Sequence, residues 1–329
     1  MDSPVSDTVA SPWHAGEVAM QRSAGMAERM DVLGRKVVRG FMPDQHREFF
    51  AQLPFVVLGA VDAAGDAWAT LRAGQPGFLH SPDPVHLRVA LPRAPQDPAD
   101  AGMEEGDAIG LLGIELHTRR RNRMNGVLRR SSGEAGFEIA VRQSFGNCPQ
   151  YIQLRDYALV DEAPAAPAAP AELPALDGAA RALIGAADSF YVATYVDLED
   201  GQRQVDVSHR GGRPGFVRID PDGGLTIPDF QGNMFFNTLG NIALNPRAGL
   251  VFVDFASGGL LQMSGAAELL GGEAAAAGLA GFEGAQRLWR FMPRRIVRRE
   301  AALPLRWLDR GDGASPASLR TGAWPAAGA

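Results

Sequence analysis

Asp206, Ser208 and Arg210 alternate with Val207 and His209 in the stretch DVSHRGGRPGFV. A period of two puts the three polar residues on one face of a β-strand. A hydroxyl and a guanidinium side by side are donors for an oxyanion, phosphate above all. Gly211, Gly212 and Pro214 then call for a tight turn, because Gly accepts positive φ and Pro presets a turn φ. Downstream come a short strand at 225–227, an amide-rich loop with Gln231, Asn233, Asn237 and Asn241, the apolar run 249–255, and a strand through 262–265. Asn233, Asn237 and Thr238 add amide and hydroxyl donors, and Gln262 adds a polar group on the later strand. Phe230, Phe235 and Phe236 offer walls for a planar group. Each residue also has a plainer reading: Arg210 as a solvated charge, His209 on the opposite strand face as a structural histidine, and Asp229 as a turn cap.

A second cluster lies earlier. Arg119, Arg121 and Arg123 share one face if RRRNRMNG is a strand, which is costly unless an anion or carboxylates face them. The alternatives are a solvated hairpin end and a second anion site. Cys148, in GNCPQYIQ, has no histidine near it in sequence and reads as a small packing residue.

The elements that position these residues follow the same logic. Helix formers fill 13–39, and a second helix starts at Pro43-Asp44 and ends at Pro54. Strands are expected at 55–62, 67–74, 77–91 and 108–118, with an exposed loop at 92–106. DEAPAAPAAPAELP is a stiff linker, after which the first pattern returns. A helix over 177–187 precedes FYVATYVD, and GGRPGF echoes AGQPGF. GLVFVDFASGGLLQMSG repeats GLLGIELHTRRRNRMNG without a gap at a separation of 139 residues. The plan is therefore an N-terminal helical arm (1–42, its first dozen residues disordered), a first β unit (43–160), a linker (161–175), a second β unit with a closing arm (176–308) and a disordered tail (309–329). Residues 268–288 read as helical.

Composition narrows the function classes. The 329 residues carry a net charge of −6 and are 46% hydrophobic, enough for a substantial core and about two domains. That charge argues against general nucleic-acid binding. One cysteine excludes an intramolecular disulfide framework and fits a reducing compartment. With no signal peptide and no membrane-length apolar run, a cytoplasmic protein without membrane partners is expected. Six scattered histidines give no metal spacing, and dinucleotide, Walker and nucleophile-elbow motifs are missing.

The segments SHRGGRPGFV, IPDFQGNMFFNTLGNI, NPRAGLVFVDF and LLQMSG, with RRRNRMNG and GNCPQYIQ, resemble the FMN-binding split-barrel family of pyridoxamine 5'-phosphate oxidase, in its branch of flavin-nucleotide-binding proteins. The resemblance implies a mainly β (α+β) fold of tandem split β-barrels with flanking helices. It also implies a flavin nucleotide held between the units or across a homodimer. In the family a cation on the strand matching 206–210 grips the phosphate, aided by a Ser and a Lys after the next strand. Ser208 and Arg210 suit the first role; the second falls at 236–238, where no Lys stands. No Arg-x-His element lies near the C-terminus, Arg306-Trp307 being the nearest, so vitamin B6 synthesis is disfavoured.

The cofactor expected is FMN, bound by Ser208, Arg210, Asn233, Asn237, Thr238 and Gln262, with Arg119, Arg121 and Arg123 as the second anion site. The expected activity is a flavin-dependent oxidoreductase acting on a small-molecule substrate or electron donor that the sequence does not define. The alternatives are a non-catalytic flavin or haem carrier and a cofactor-free scaffold. Placing the phosphate on the second unit makes Arg210→Ala the more damaging change, ahead of Arg121→Ala.

Overall fold

The computed structural model describes residues 11–130, 136–160, 169–280 and 282–324. Three helices come first: α1 (Ala15–Ser23), α2 (Ala27–Val37) and α3 (Asp44–Ala51). Then β1 (Phe55–Val61), β2 (Ala67–Ala73), β3 (Leu79–Asp83), β4 (His86–Val89), β5 (Ala108–Glu115), β6 (Arg120–Arg129) and β7 (Phe137–Gly146) form an antiparallel sheet ordered β2-β1-β5-β6-β7-β4-β3. After β8 (Arg155–Leu159), β9 (Ala171–Glu172) and α4 (Gly178–Ala186) come β10 (Ser189–Asp197), β11 (Arg203–Gly211), β12 (Arg218–Ile219), β13 (Leu225–Phe230), α5 (Asn237–Leu244), β14 (Arg247–Asp254), β15 (Gly259–Leu270), α6 (Gly272–Ala280), β16 (Ala285–Arg299) and β17 (Leu305–Asp309). The second sheet is ordered β11-β10-β14-β15-β16-β13-β12, the same path strand for strand. The fold is mainly β, two split barrels in one chain with flanking helices. No helix among the described residues is long and apolar enough to cross a membrane.

The 139-residue echo lands on equivalent strands: subtracting 139 from the bounds of β14 gives those of β5, and β15 starts 139 residues after β6. Both copies bulge at the same place, between Asn125 and Gly126 and between Ser264 and Gly265. Each barrel has its own core, around Phe49, Phe50 and Trp68 in the first and Phe190, Phe252 and Trp289 in the second. A third cluster, including Val57, Leu71, Tyr191, Val207 and Val251, joins them. There β11 lies against β5 and β2 against β14. Glycine permits the approach. A Cβ on Gly110 would sit 2.7 Å from the Val205 carbonyl oxygen, and one on Gly249 only 2.3 Å from that of Ala67.

Four expectations about organisation change. The linker is not free of structure, since β9 within it pairs with β16; its residues 161–168 lie outside the described set. The closing arm crosses back, β17 pairing with β8 of the first unit, so the units interlock. The tail expected to be disordered is packed as far as Trp324. Its indole donates to the Phe216 carbonyl at 3.0 Å and stands 4.8 Å from Phe282. Residues 1–10 and 325–329 lie outside the described set, and the helix expected over 268–288 contracts to α6 between two strands.

The N-terminal arm packs on the second barrel, α1 against α5. His14 caps α1 by accepting from the Gly16 N–H at 3.2 Å, which leaves Nε2 to donate to Asn241 Oδ1 at 2.7 Å. Glu17, fully buried, accepts from the His14 N–H and from Asn237 Nδ2. Burial, and then the charge of Asp206, push the Glu17 pKa well above the carboxylate range. Burial pulls the His14 pKa down. Burial thus favours the neutral form of each group inside the arm.

Three substitutions test these contacts through stability. Gly249→Ala should cost about 1–3 kcal/mol in urea unfolding, because backbone rather than a flexible side chain opposes the new methyl. Gly178→Ala, with open space at its site, should stay within about 1 kcal/mol of wild type. Because a raised acid pKa favours the fold only while the acid is protonated, the Glu17 contribution is complete below the ordinary value of about 4.3 and drains as pH rises through the buried value. The stability of Glu17→Gln relative to wild type should therefore climb with pH, by at most about 1.4 kcal/mol per unit. A pH-independent difference in denaturation midpoints would contradict a raised Glu17 pKa.

Candidate functional site

The expected site residues converge on one cavity whose walls come from both barrels. Ser208 and Arg210 reach it from β11, Asn233 from the loop after β13, Asn237 and Thr238 from the first turn of α5, and Arg121 and Arg123 from β6 of the first barrel. The second anion site expected at Arg121 and Arg123 and the site expected around Ser208 are thus the same place. The contrast drawn between Arg210 and Arg121 as members of separate sites dissolves with that finding. Arg119 stays out: its guanidinium donates to the carbonyls of Ile152, Gly313 and Ala314, tying the C-terminal segment down.

Gln262 is the expected member that does not join. Its amide donates to the Ala69 carbonyl at 3.1 Å and to Asp97 at 3.0 Å, on the first barrel's side of the interface. The repeat carried the signal. Gln262 stands 139 residues after Arg123, at the same position of the other copy, so the two face opposite cavities. Phe230 and Phe236 line the cavity, but Phe235 packs away against Trp13 and Phe145. Asn241, read as a loop amide, lies inside α5 and donates to Asp206 and Thr194 at 3.0 Å each.

The charges decide what the cavity can hold. Arg123 is held by Asp206 at 3.2 Å and donates to the Ser208 hydroxyl, which also lies 3.0 Å from Thr238 Oγ1. Arg210 is ion-paired with Asp229 at 2.5 Å. Arg121 differs. Its Nε donates to the Cys148 carbonyl at 2.7 Å, and it forms no ion pair among the described residues. Burial, reinforced by Arg123, lowers its pKa to about 10, which still leaves it charged at neutral pH. One cation here is therefore uncompensated. His209, bordering the cavity, is pushed well below its ordinary pKa by burial and by the nearby arginines, and its Nδ1 has no partner.

The backbone adds donors. The α5 N-cap residue is Phe236, which supplies no side-chain cap, and the first turn of the helix, at Asn237 and Thr238, lines the cavity. A helix N-terminus in that state favours an anion. Tyr151, Met234 and Phe236 are held at φ between 61° and 66°, and all three line the cavity. Non-glycine residues avoid that region, and such strain gathers where surrounding structure enforces a site. No sequence signal announces it, since none of the three is Gly, Asn or Asp. Gly211 lets the Tyr151 segment in: a Cβ there would fall 2.1 Å from the Tyr151 carbonyl oxygen.

The cavity encloses ≈ 100 Å³ and opens to solvent. That is room for a phosphate-sized group, with the partly exposed Tyr151, Met234 and Phe236 presenting apolar surface nearer the opening. Among the described residues no cluster of His, Cys, Asp and Glu could hold a metal ion.

No family model and no curated protein matches the chain. Solved structures similar to it include a variant of HupZ from Group A Streptococcus, 20% identical, spanning 37% of this chain and 98% of its own at a TM-score of 0.28. HutZ, the haem storage protein of Vibrio cholerae, is 13% identical over 38% of this chain and 95% of its own, at a TM-score of 0.27. A FAD-binding protein from Mesorhizobium loti is 17% identical over 40% of this chain and 99% of its own, also at 0.27. The strand order of the chain itself, repeated in both sheets, gives it the split-barrel fold.

Proposed function

We propose that the cavity between the two barrels binds the phosphate of a flavin nucleotide, FMN, one molecule per chain. The observation that carries this reading is Arg121, a half-buried cation with no ion-pair carboxylate among the described residues, lining the same cavity as Ser208 and the uncapped start of α5. Arg121 and Arg123 come from one barrel and Ser208, Thr238 and the helix N–H groups from the other. They supply the cations, hydroxyls and amides that a phosphate dianion needs. The lysine missing from 236–238 is made good by Arg121, which arrives from the other barrel. Tyr151, Phe230, Met234 and Phe236 suit a planar ring lying toward the opening, and Asn147 and Asn233 suit its heteroatoms.

A flavin, when bound, supplies hydride or single-electron transfer. The share of this chain is to hold the phosphate, fix the ring against apolar walls and limit water. The reading favours an oxidoreductase over a carrier, and turnover of reduced nicotinamide with an electron acceptor by the FMN-loaded protein separates the two.

Absorbance and fluorescence titration of the purified chain with FMN is the direct test. Saturable binding is expected, competed by inorganic phosphate and weakened about 10- to 100-fold in Arg121→Ala through loss of a charged contact. Arg210→Ala should weaken it less, since Arg210 is already neutralised by Asp229. Equal affinity for riboflavin and FMN would remove the phosphate site, and retention of haem with no response to FMN would replace the flavin reading with a haem carrier.

A further inference from the structure

The two sheets can be matched residue by residue through their hydrogen-bond registers. Val57 pairs with Leu112 and Tyr191 with Val251, while Leu112 pairs with Arg123 and Val251 with Gln262. On the outer strands Val57 pairs with Leu71 and Tyr191 with His209. Thr70 therefore occupies in the first barrel the place of Ser208 in the second. Arg72 answers to Arg210, Gln262 to Arg123 and Leu260 to Arg121. The interface should accordingly contain a second cradle, related to the cavity by the repeat.

That cradle exists, and a carboxylate fills it. Asp97 is buried, 1% exposed, and its oxygens take up the donors one by one. Thr70 Oγ1 donates at 2.5 Å, Gln262 Nε2 at 3.0 Å, Arg299 at 2.9 Å and the Ala99 N–H at 3.1 Å. Beside it Asp100 stands 3.7 Å from Arg72, whose guanidinium also reaches the Pro92 carbonyl. A hydroxyl, a polar group from the opposite barrel and a backbone N–H converge on Asp97. The same three kinds of donor line the first cavity, where the lining carboxylate, Asp229, pairs with Arg210 rather than with those donors.

We infer that the Thr70–Gln262–Arg299 cradle is a latent twin of the anion site, closed by the Asp97 carboxylate acting as a built-in anion. The chain therefore presents one open site where its two-fold plan provides two. The inference rests on reading the first cavity as an anion site. It adds that the twin takes a small oxyanion of the phosphate class once Asp97 is withdrawn. Leu260, standing where Arg121 stands in the open copy, removes the uncompensated cation, and Asp97 and Asp100 answer the two arginines that remain, Arg299 and Arg72.

The test is thermal unfolding of the full chain in inorganic phosphate against chloride at matched ionic strength. It uses wild type, Asp97→Ala, Arg121→Ala and the double variant. A ligand that binds only the folded state raises the midpoint. Asp97→Ala should lose stability in chloride and then gain about 5 °C more from saturating phosphate than wild type does. That extra gain should persist when Arg121→Ala has disabled the first cavity. Asp97→Asn, which fills the space with an amide, should lose stability without the extra gain. If Asp97→Ala folds poorly, its refolding yield in phosphate against chloride decides: a higher yield in phosphate supports the latent site and an equal yield overturns it. An Asp97→Ala response no larger than that of wild type overturns the inference and leaves the first cavity standing. A wild type indifferent to phosphate beside a responsive Asp97→Ala would instead remove the first cavity as the anion site.

Discussion

Asp206 is the constraint to which both the assembly and the cavity answer. It is completely buried in β11, and a buried carboxylate is tolerable only if its lone pairs are met. Arg123 and Asn125, from β6 of the first barrel, meet one oxygen at 3.2 and 2.7 Å, and Asn241 of α5 meets the other at 3.0 Å. Each partner is thereby fixed in a second duty. Arg123 is aimed at Ser208 and the cavity, Asn241 holds the His14 ring of the N-terminal arm, and α5 is oriented with its first turn toward the cavity. Such a pair contributes little net stability against an apolar replacement, but its geometry admits one docking of the two sheets. Sheet register, helix orientation and cation placement follow from one charge.

The twin position shows what happens without that charge. Trp68 stands where Asp206 stands; its indole N–H donates to Asp62 at the hairpin, and across the interface its ring meets the Arg295 guanidinium, 5.0 Å from the ring centroid, rather than a hydrogen-bonded cluster. Lacking an acidic strand residue, the first barrel brings its carboxylate from a loop, Asp97, and directs it at the donors themselves. In the second barrel the acid lies behind the cation, and the cation faces open space. In the first the acid lies in front. The same inventory of groups, reordered by a few residues, gives an open cavity in one copy and a satisfied polar core in the other.

Much of this was written locally. The alternation at 206–210 gave the strand and its face, and the 139-residue echo landed on β5 and β14 and on β6 and β15 because their bulge and hairpin lengths match. Ser208, Arg210, Asn233, Asn237 and Thr238 were legible together since one short run of chain carries them past the same space. The rest depended on contacts between distant segments. That Arg121 joins Ser208 requires β6 to cross β11, which only the interface around Gly110 and Gly249 reveals. Gln262 was misassigned by proximity along the chain when the repeat would have sent it to the opposite cavity. The packed tail to Trp324 and the left-handed Tyr151, Met234 and Phe236 left no compositional trace, because tertiary contacts impose them against local preference.

Two sheets of one strand order within a single chain allow a division that two separate copies could not sustain. In a symmetric dimer of identical subunits every interface residue appears twice, so an acid that closes one cavity closes both. Here the two copies change independently: Arg123 answers to Gln262, Arg121 to Leu260 and Asp206 to Trp68. Since the open cavity draws its cations from one barrel and its hydroxyls and helix N–H groups from the other, an anion in it bridges the barrels and favours their docked arrangement over any looser one. The closed cavity makes the equivalent bridge permanently, through Gln262 and Arg299 of the second unit to Asp97 and Thr70 of the first. The closed copy therefore holds the interface whether or not a ligand is present, leaving the open copy with an uncompensated cation and a strained rim that one polypeptide can keep because its other half is already satisfied.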